Sequence, residues 1–173
     1  MKKKDNSYDW LGNGYYFWEN NYDRALSFAN EVKANPEKFN TKIKKPAVLG
    51  AVISLGNCFD LLDNHNISML QEYYKIFEES YKKLDIQLPI NKKTPDNSND
   101  NLLRYLDCAV LESFHSFLKD IKHPPFDSVR GVFGEGQEIY PNAGFKEKNH
   151  IQICIKNPEC IKGFFIPLNS DQG

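Results

Sequence analysis

The segment Gly12-Asn13-Gly14-Tyr15-Tyr16-Phe17-Trp18-Glu19-Asn20-Asn21 constrains this chain more than any other stretch. Side chains alternate across a strand, so four consecutive aromatics put large rings on both of its faces. A half-buried strand alternates apolar and polar residues. This one must instead be packed on one face and either packed or offered to a flat ligand on the other. The two glycines before it let backbone approach a neighbour closely. Asn20 or Asn21 then caps a helix whose apolar positions, Ala25, Phe28, Ala29 and Val32, recur at i, i+3, i+4 and i+7. A ring-stacking pocket beside a helix N-terminus is the expected consequence.

The rest of the chain sets the frame. Its 173 residues are expected to form one domain, 1–173, with a real core, and 40% hydrophobic and 13% aromatic residues argue against disorder. A formal net charge of −1 gives no strong pull toward nucleic acid or anionic lipid. Only three residues are arginine, Arg24, Arg104 and Arg130, which makes each worth locating. No apolar run reaches the ~18–20 residues of a membrane span, so no membrane partner is expected. Met-Lys-Lys-Lys is followed by Asp-Asn-Ser and not by an apolar stretch, which is no secretory signal. Cys58, Cys108, Cys154 and Cys160 form no Cys-x-x-Cys pair; buried free thiols in a cytoplasmic protein, with no metal site, are expected.

Periodicity gives an α+β fold with its sheet assembled from both ends of the chain. Tyr15 to Trp18 reads as a strand, and the helix after it ends before Pro36. Ala47 to Leu55 is continuously apolar and reads as a buried central strand. Asn66 is placed to cap a helix presenting Ile67, Leu70, Tyr74, Phe77, Tyr81 and Leu84. A polar loop covers 88–101, and Leu102 to Ile121 reads as a third helix with Leu103, Leu106, Val110, Phe114, Phe117 and Leu118 inward. Strands follow at Val129–Phe133, Ile151–Ile155 and Ile161–Ile166. The two middle helices read as an insertion, at about 63–123, packing on one side.

The chemistry is expected around the late strand. Alternation puts His150, Gln152 and Cys154 on one face and Ile151, Ile153 and Ile155 on the other. Three isoleucines mark a core face, which leaves the imidazole and the amide either turned to water on a half-exposed strand or walling a cleft. The preceding loop carries Glu135, Glu138 and Glu147. Glu135 lies between Gly134 and Gly136, which lets the loop fold inward; Glu147 is nearest the strand. Arg130, with its planar fork, would orient that loop or meet a phosphate. His65, His115 and His123 read as structural. No phosphate-binding loop, zinc-protease helix, dinucleotide fingerprint or nucleophile elbow is present.

These segments resemble ADP-ribosyltransferases of the poly(ADP-ribose) polymerase and diphtheria-toxin type. Gly12-Asn13-Gly14-Tyr15-Tyr16-Phe17 and the helix through Phe28 look like the family's Gly-x-Gly-x-Tyr-Phe segment. Ala51 to Asn57 is similar to its next strand, and His150 to Ile155 to the strand that carries its catalytic glutamate. The resemblance implies a split-sheet core with a helical insertion, binding NAD in a cleft. It further implies transfer of ADP-ribose to a macromolecular acceptor, as a bacterial toxin or defence effector with a neutralising partner such as an antitoxin. In this reading Gly14, Tyr15, Tyr16, Ser27, Phe28 and Arg130 contact NAD. Tyr16 stacks on the nicotinamide, and Tyr16, Glu135, Glu147, His150 and Gln152 form the catalytic set. The family also carries a His on a strand before the Tyr-Phe segment, and the fourteen residues before Tyr15 hold none. Asn149-His150 stands where the family's glutamate would begin the late strand. The missing His points to the alternative, a non-catalytic nucleotide- or protein-binding module on the same scaffold.

Overall fold

The computed structural model describes residues 3–93 and 100–168, so part of the polar loop expected at 88–101 lies outside the described residues. Its elements are β1 (Tyr15–Trp18), α1 (Tyr22–Ala34), β2 (Gly50–Ile53), β3 (Cys58–Asp60), α2 (Asn64–Lys83), α3 (Tyr105–Asp120), β4 (Ser128–Phe133), β5 (His150–Ile155) and β6 (Ile161–Phe165). A 3-10 turn, Pro158–Cys160, joins β5 to β6. This is an α+β fold with two sheets.

The larger sheet has the order β1-β5-β4-β3, with β3 parallel to β4 and the other pairs antiparallel. Parallel neighbours need a crossover connection. Here α2 and α3 supply it, and they cover the sheet face that bears Phe59, Val129 and Cys154. Segment 63–123 thus provides the covering layer of the sheet as well as packing on one side of it. A second cluster, Ile153, Ile155 and Cys160 with Tyr15, Phe17, Ile53 and Ile161, joins the opposite face to the two-stranded β2–β6 sheet. The β1 aromatics are therefore divided. Tyr16 packs into the helix-covered core, and Tyr15 and Phe17 pack toward the small sheet.

Several expectations are corrected. Ala47–Leu55 is not a central strand. Only Gly50–Ile53 pairs, with β6 alone, and Leu49 and Val52 are each 56% exposed. The run has one covered face, not two, and its lack of alternation hid this. Alternation on β5 was right, but the isoleucine face is the lesser core. Cys154 is fully buried in the main one and His150 is 5% exposed, so that face is no open wall. Asp63 caps α2, its carboxylate accepting the His65 N–H at 2.7 Å. Asn66 sits in the first turn and donates to the Asp60 carbonyl at 3.1 Å. The buried α2 stripe is Tyr73 and Phe77, while Ile67 and Leu84 are exposed. α3 starts at Tyr105 because Leu103 is engaged in a bridge with Lys92. Strand β3, three residues long, gave no sequence signal.

His115, read as structural, packs among Phe59, Phe114 and Phe126, and its Nε2 is buried with no hydrogen-bond partner among the described residues. Burial, reinforced by nearby Lys156 and opposed by Glu112, lowers its pKa from 6.5 to about 4. Between those values the unfolded chain takes up a proton that the folded chain refuses. Stability therefore falls as pH drops from 6.5 toward 4, by about 3 kcal/mol in total. Urea unfolding at pH 7 and pH 4.5 should show a flatter dependence in His115→Phe; equal slopes in the two proteins would refute the assignment.

Candidate functional site

Where β1 hands over to α1, the chain builds an aromatic wall. Asn21 caps α1, its side chain accepting the Arg24 N–H at 3.0 Å, and Asn20 makes the turn with φ +46°. The cap fixes the phase of the helix. Arg24, Phe28 and Glu31, spaced i, i+4 and i+7, then share one face. Together with Trp18 they line a cavity of about 570 Å³. The Trp18 and Phe28 rings lie 5.2 Å apart and the Phe28 and Phe39 rings 5.6 Å apart. Tyr8, Trp10, Leu102 and Leu103 also line the cavity. Trp10 is fixed by donating to the Leu102 carbonyl at 2.8 Å, with the Arg104 guanidinium 4.7 Å from its ring.

The cavity joins four of the residues singled out from sequence: Tyr16, Phe28, Glu135 and Gln152. Gln152 sits on β5 beside Trp18 of β1. Its amide donates to Nε2 of His150 at 3.0 Å, while His150 Nδ1–H donates to the Lys148 carbonyl at 2.5 Å. That arrangement requires a neutral ring. Burial, the larger effect, and the nearby Arg24 both lower the His150 pKa, against a raising influence from the Lys148 carbonyl and Glu135. His150 packs against both Trp10 and Phe133, which touch each other, and does not line the cavity. Its place is behind Gln152.

Glu135 comes from the loop after β4 and is held by Arg24, Nη2 to Oε2 at 2.8 Å, with the two side chains 8% and 13% exposed. Lys148 stands 3.8 Å from the other carboxylate oxygen and 3.6 Å from Glu31. Arg24 Nε and Nη1 and Trp18 Nε1 are buried with no hydrogen-bond partner among the described residues. The guanidinium carbon is 5.5 Å from the Trp18 ring centroid and 6.0 Å from that of Phe28.

The remaining expected residues lie elsewhere. Glu147 and Glu138 are exposed and bind their own loop, accepting from Gln137 N at 3.4 Å and Asn142 N at 3.0 Å. Arg130 projects from the other face of the sheet, paired with Glu19 at 2.6 Å and Asp60 at 2.9 Å, and lines no part of this cavity. Position on β4 decides this: Arg130 lies between the helix-facing Val129 and Gly131. Tyr15 packs in the second cluster, and Ser27 is exposed on α1 outside the cavity. Gly14 does approach something closely, but that something is β5. Sequence reasoning missed Arg24, Trp10 and Glu31. The scarcity of arginine was the available signal for Arg24, as was its i, i+4 spacing from Phe28.

The four cysteines are free, and burial raises the pKa of every thiol, Cys108 to about 11 and Cys154 to about 12. None is primed as a nucleophile. Among the described residues no group of three or more His, Cys, Asp or Glu is placed to hold a metal ion, and no helix is long and apolar enough to cross a membrane. Comparison with protein-family models, curated proteins and solved structures finds no match to this chain.

Proposed function

We propose that this cavity binds NAD and that the chain is an ADP-ribosyltransferase-like protein acting on a macromolecular acceptor, in the manner of a toxin or defence effector. The observation that carries the reading is the meeting, in one cavity of about 570 Å³, of the Trp18–Phe28–Phe39 ring wall with the Glu135 carboxylate and the Gln152 amide. That volume lies within the range of small-molecule and cofactor sites. A ring wall suits a flat heterocycle. Cleaving the nicotinamide–ribose bond develops positive charge on the sugar, which a fixed carboxylate stabilises. In this reading Glu135 is the catalytic residue, Gln152 orients the ligand, and His150 is a positioning residue that holds the Gln152 amide.

The test is release of nicotinamide from NAD, with isothermal titration alongside. Glu135→Gln is expected to lower kcat about 10²–10³-fold without weakening NAD binding. Trp18→Ala is expected to weaken NAD binding about 10-fold, as loss of one stacking partner. Unchanged turnover in Glu135→Gln would reject the site.

The Arg24–Glu135 ion pair favours a second reading, a nucleotide-binding module without turnover, because it already neutralises the carboxylate. Saturable NAD binding by the parent chain without nicotinamide release would select it.

A further inference from the structure

We infer that the cavity selects ligands carrying an anionic oxygen group beside their flat ring, and that this group takes Arg24 from Glu135. The inference deepens the NAD reading of the same cavity and rests on it for the site, though not for the identity of the ligand.

The orphaned donors carry the argument. A buried N–H without an acceptor forfeits its hydration with nothing in exchange, and native structures leave few of them. Arg24 and Trp18 together leave three, all on side chains that line this cavity. The guanidinium is a rigid fork that matches a carboxylate or phosphate through two parallel bonds. Glu135 engages only one arm of it, through a single contact at 2.8 Å. Arg24 is thus under-used in its resting contact. The two bidentate edges of the guanidinium are Nε with Nη2 and Nη1 with Nη2, so a tetrahedral or planar oxyanion that grips either edge, with Trp18 Nε1 beside it, takes Nη2 from Glu135 and gives an orphaned donor its acceptor.

The exchange does not strand Glu135. Its second oxygen already lies 3.8 Å from Lys148 Nζ. Gly134 and Gly136 flank it, and Gly136 adopts φ +91°, a conformation that side chains rarely take. The carboxylate can therefore stay with Lys148 when Arg24 changes partner. At rest Glu31 and Glu135 balance Arg24 and Lys148; an incoming anion keeps Arg24 paired while Lys148 keeps Glu135, and it leaves this group with a negative excess. Release of the carboxylate from Arg24 upon ligand entry also answers the objection that the ion pair raises to catalysis.

Two ligand pairs test this by isothermal titration: nicotinamide mononucleotide against nicotinamide riboside, and adenosine monophosphate against adenosine. The phosphorylated member of whichever pair binds should be favoured at least 10-fold. Arg24→Gln, and Arg24→Lys as a variant that keeps the charge without the fork, should bring that ratio toward one. Trp18→Phe, which keeps a ring and removes the donor, should lower the ratio about 3-fold. Glu135→Gln should act in the opposite direction, raising affinity for the phosphorylated member several-fold by removing its competitor. A ratio indifferent to Arg24, or a weaker affinity in Glu135→Gln, overturns the inference. Binding confined to the adenosine pair would reject the NAD reading and keep this one; no binding by either pair would reject both.

Discussion

Gly14→Ala should lose on the order of 3 kcal/mol of stability, while Gly144→Ala loses almost nothing. A Cβ at position 14 would lie 2.4 Å from Cys154 Sγ and 2.7 Å from the Ile155 carbonyl oxygen. Backbone cannot give way there, because β1 is hydrogen-bonded to β5 and Gly14 itself bridges to Lys4. Overpacking at a rigid site costs about 1–3 kcal/mol and occasionally more. Around Gly144 nothing lies within 4 Å, and a surface change of that kind stays within about 0.5 kcal/mol. The denaturation midpoints in urea, at unchanged slope, report the difference. If Gly14→Ala unfolded at the parent midpoint, the fit of β1 against β5 would be wrong.

That contrast also marks where the sequence was legible. Gly14 announced close approach without saying to what, and the structure gives the partner as a strand 140 residues away in sequence, near Cys154. Local signals were strong. The aromatic run gave β1 with its bounds, the pair Asn20-Asn21 narrowed the α1 cap to two residues, of which Asn21 serves, and periodicity gave α2 and α3. The strand at Ala47–Leu55 misled because an unbroken apolar run measures composition, not the number of neighbours a strand will have. Strand β3 escaped because three residues carry no period. Its one apolar residue, Phe59, is fully buried, and its polar end, Asp60, is spent on Arg130.

The candidate site was half legible for a related reason. Phe28, Tyr16 and Gln152 follow from strand and helix phase, and Glu135 from the glycines beside it. Arg24 is charged and lies next to the apolar stripe, so pattern assigns it to solvent; only the fold shows it 8% exposed against Glu135. Arg130 is the reverse case. Its phase on β4 places it on the far face from the cavity, which the residue type alone could not tell.

Tyr16→Phe is expected to lower stability by about 2–3 kcal/mol and to leave ligand affinity within about 2-fold, and Tyr16→Ala to cost about 5 kcal/mol. The Tyr16 hydroxyl accepts the Leu11 N–H at 2.8 Å and donates to the Gly12 carbonyl at 2.7 Å. Leu11 is fully buried and Gly12 turns with φ +74°, so neither backbone group has water to fall back on. Burial pushes the phenol pKa well above its ordinary value, which keeps it a donor at every working pH. The hydroxyl therefore holds the turn that leads into β1, and the ring edge that reaches the cavity is what a ligand would meet. Removing the oxygen orphans the Leu11 N–H, while removing the ring also opens a hole in the helix-covered core. A loss of about 5 kcal/mol is comparable to the whole stability of many domains, so Tyr16→Ala is poorly suited to testing binding and Tyr16→Phe is the informative variant. Thermal unfolding and titration of the same Tyr16→Phe preparation separate the roles. A 10-fold weaker affinity at parental stability would assign the hydroxyl to the ligand, whereas lost stability at parental affinity assigns it to the Leu11–Gly12 turn.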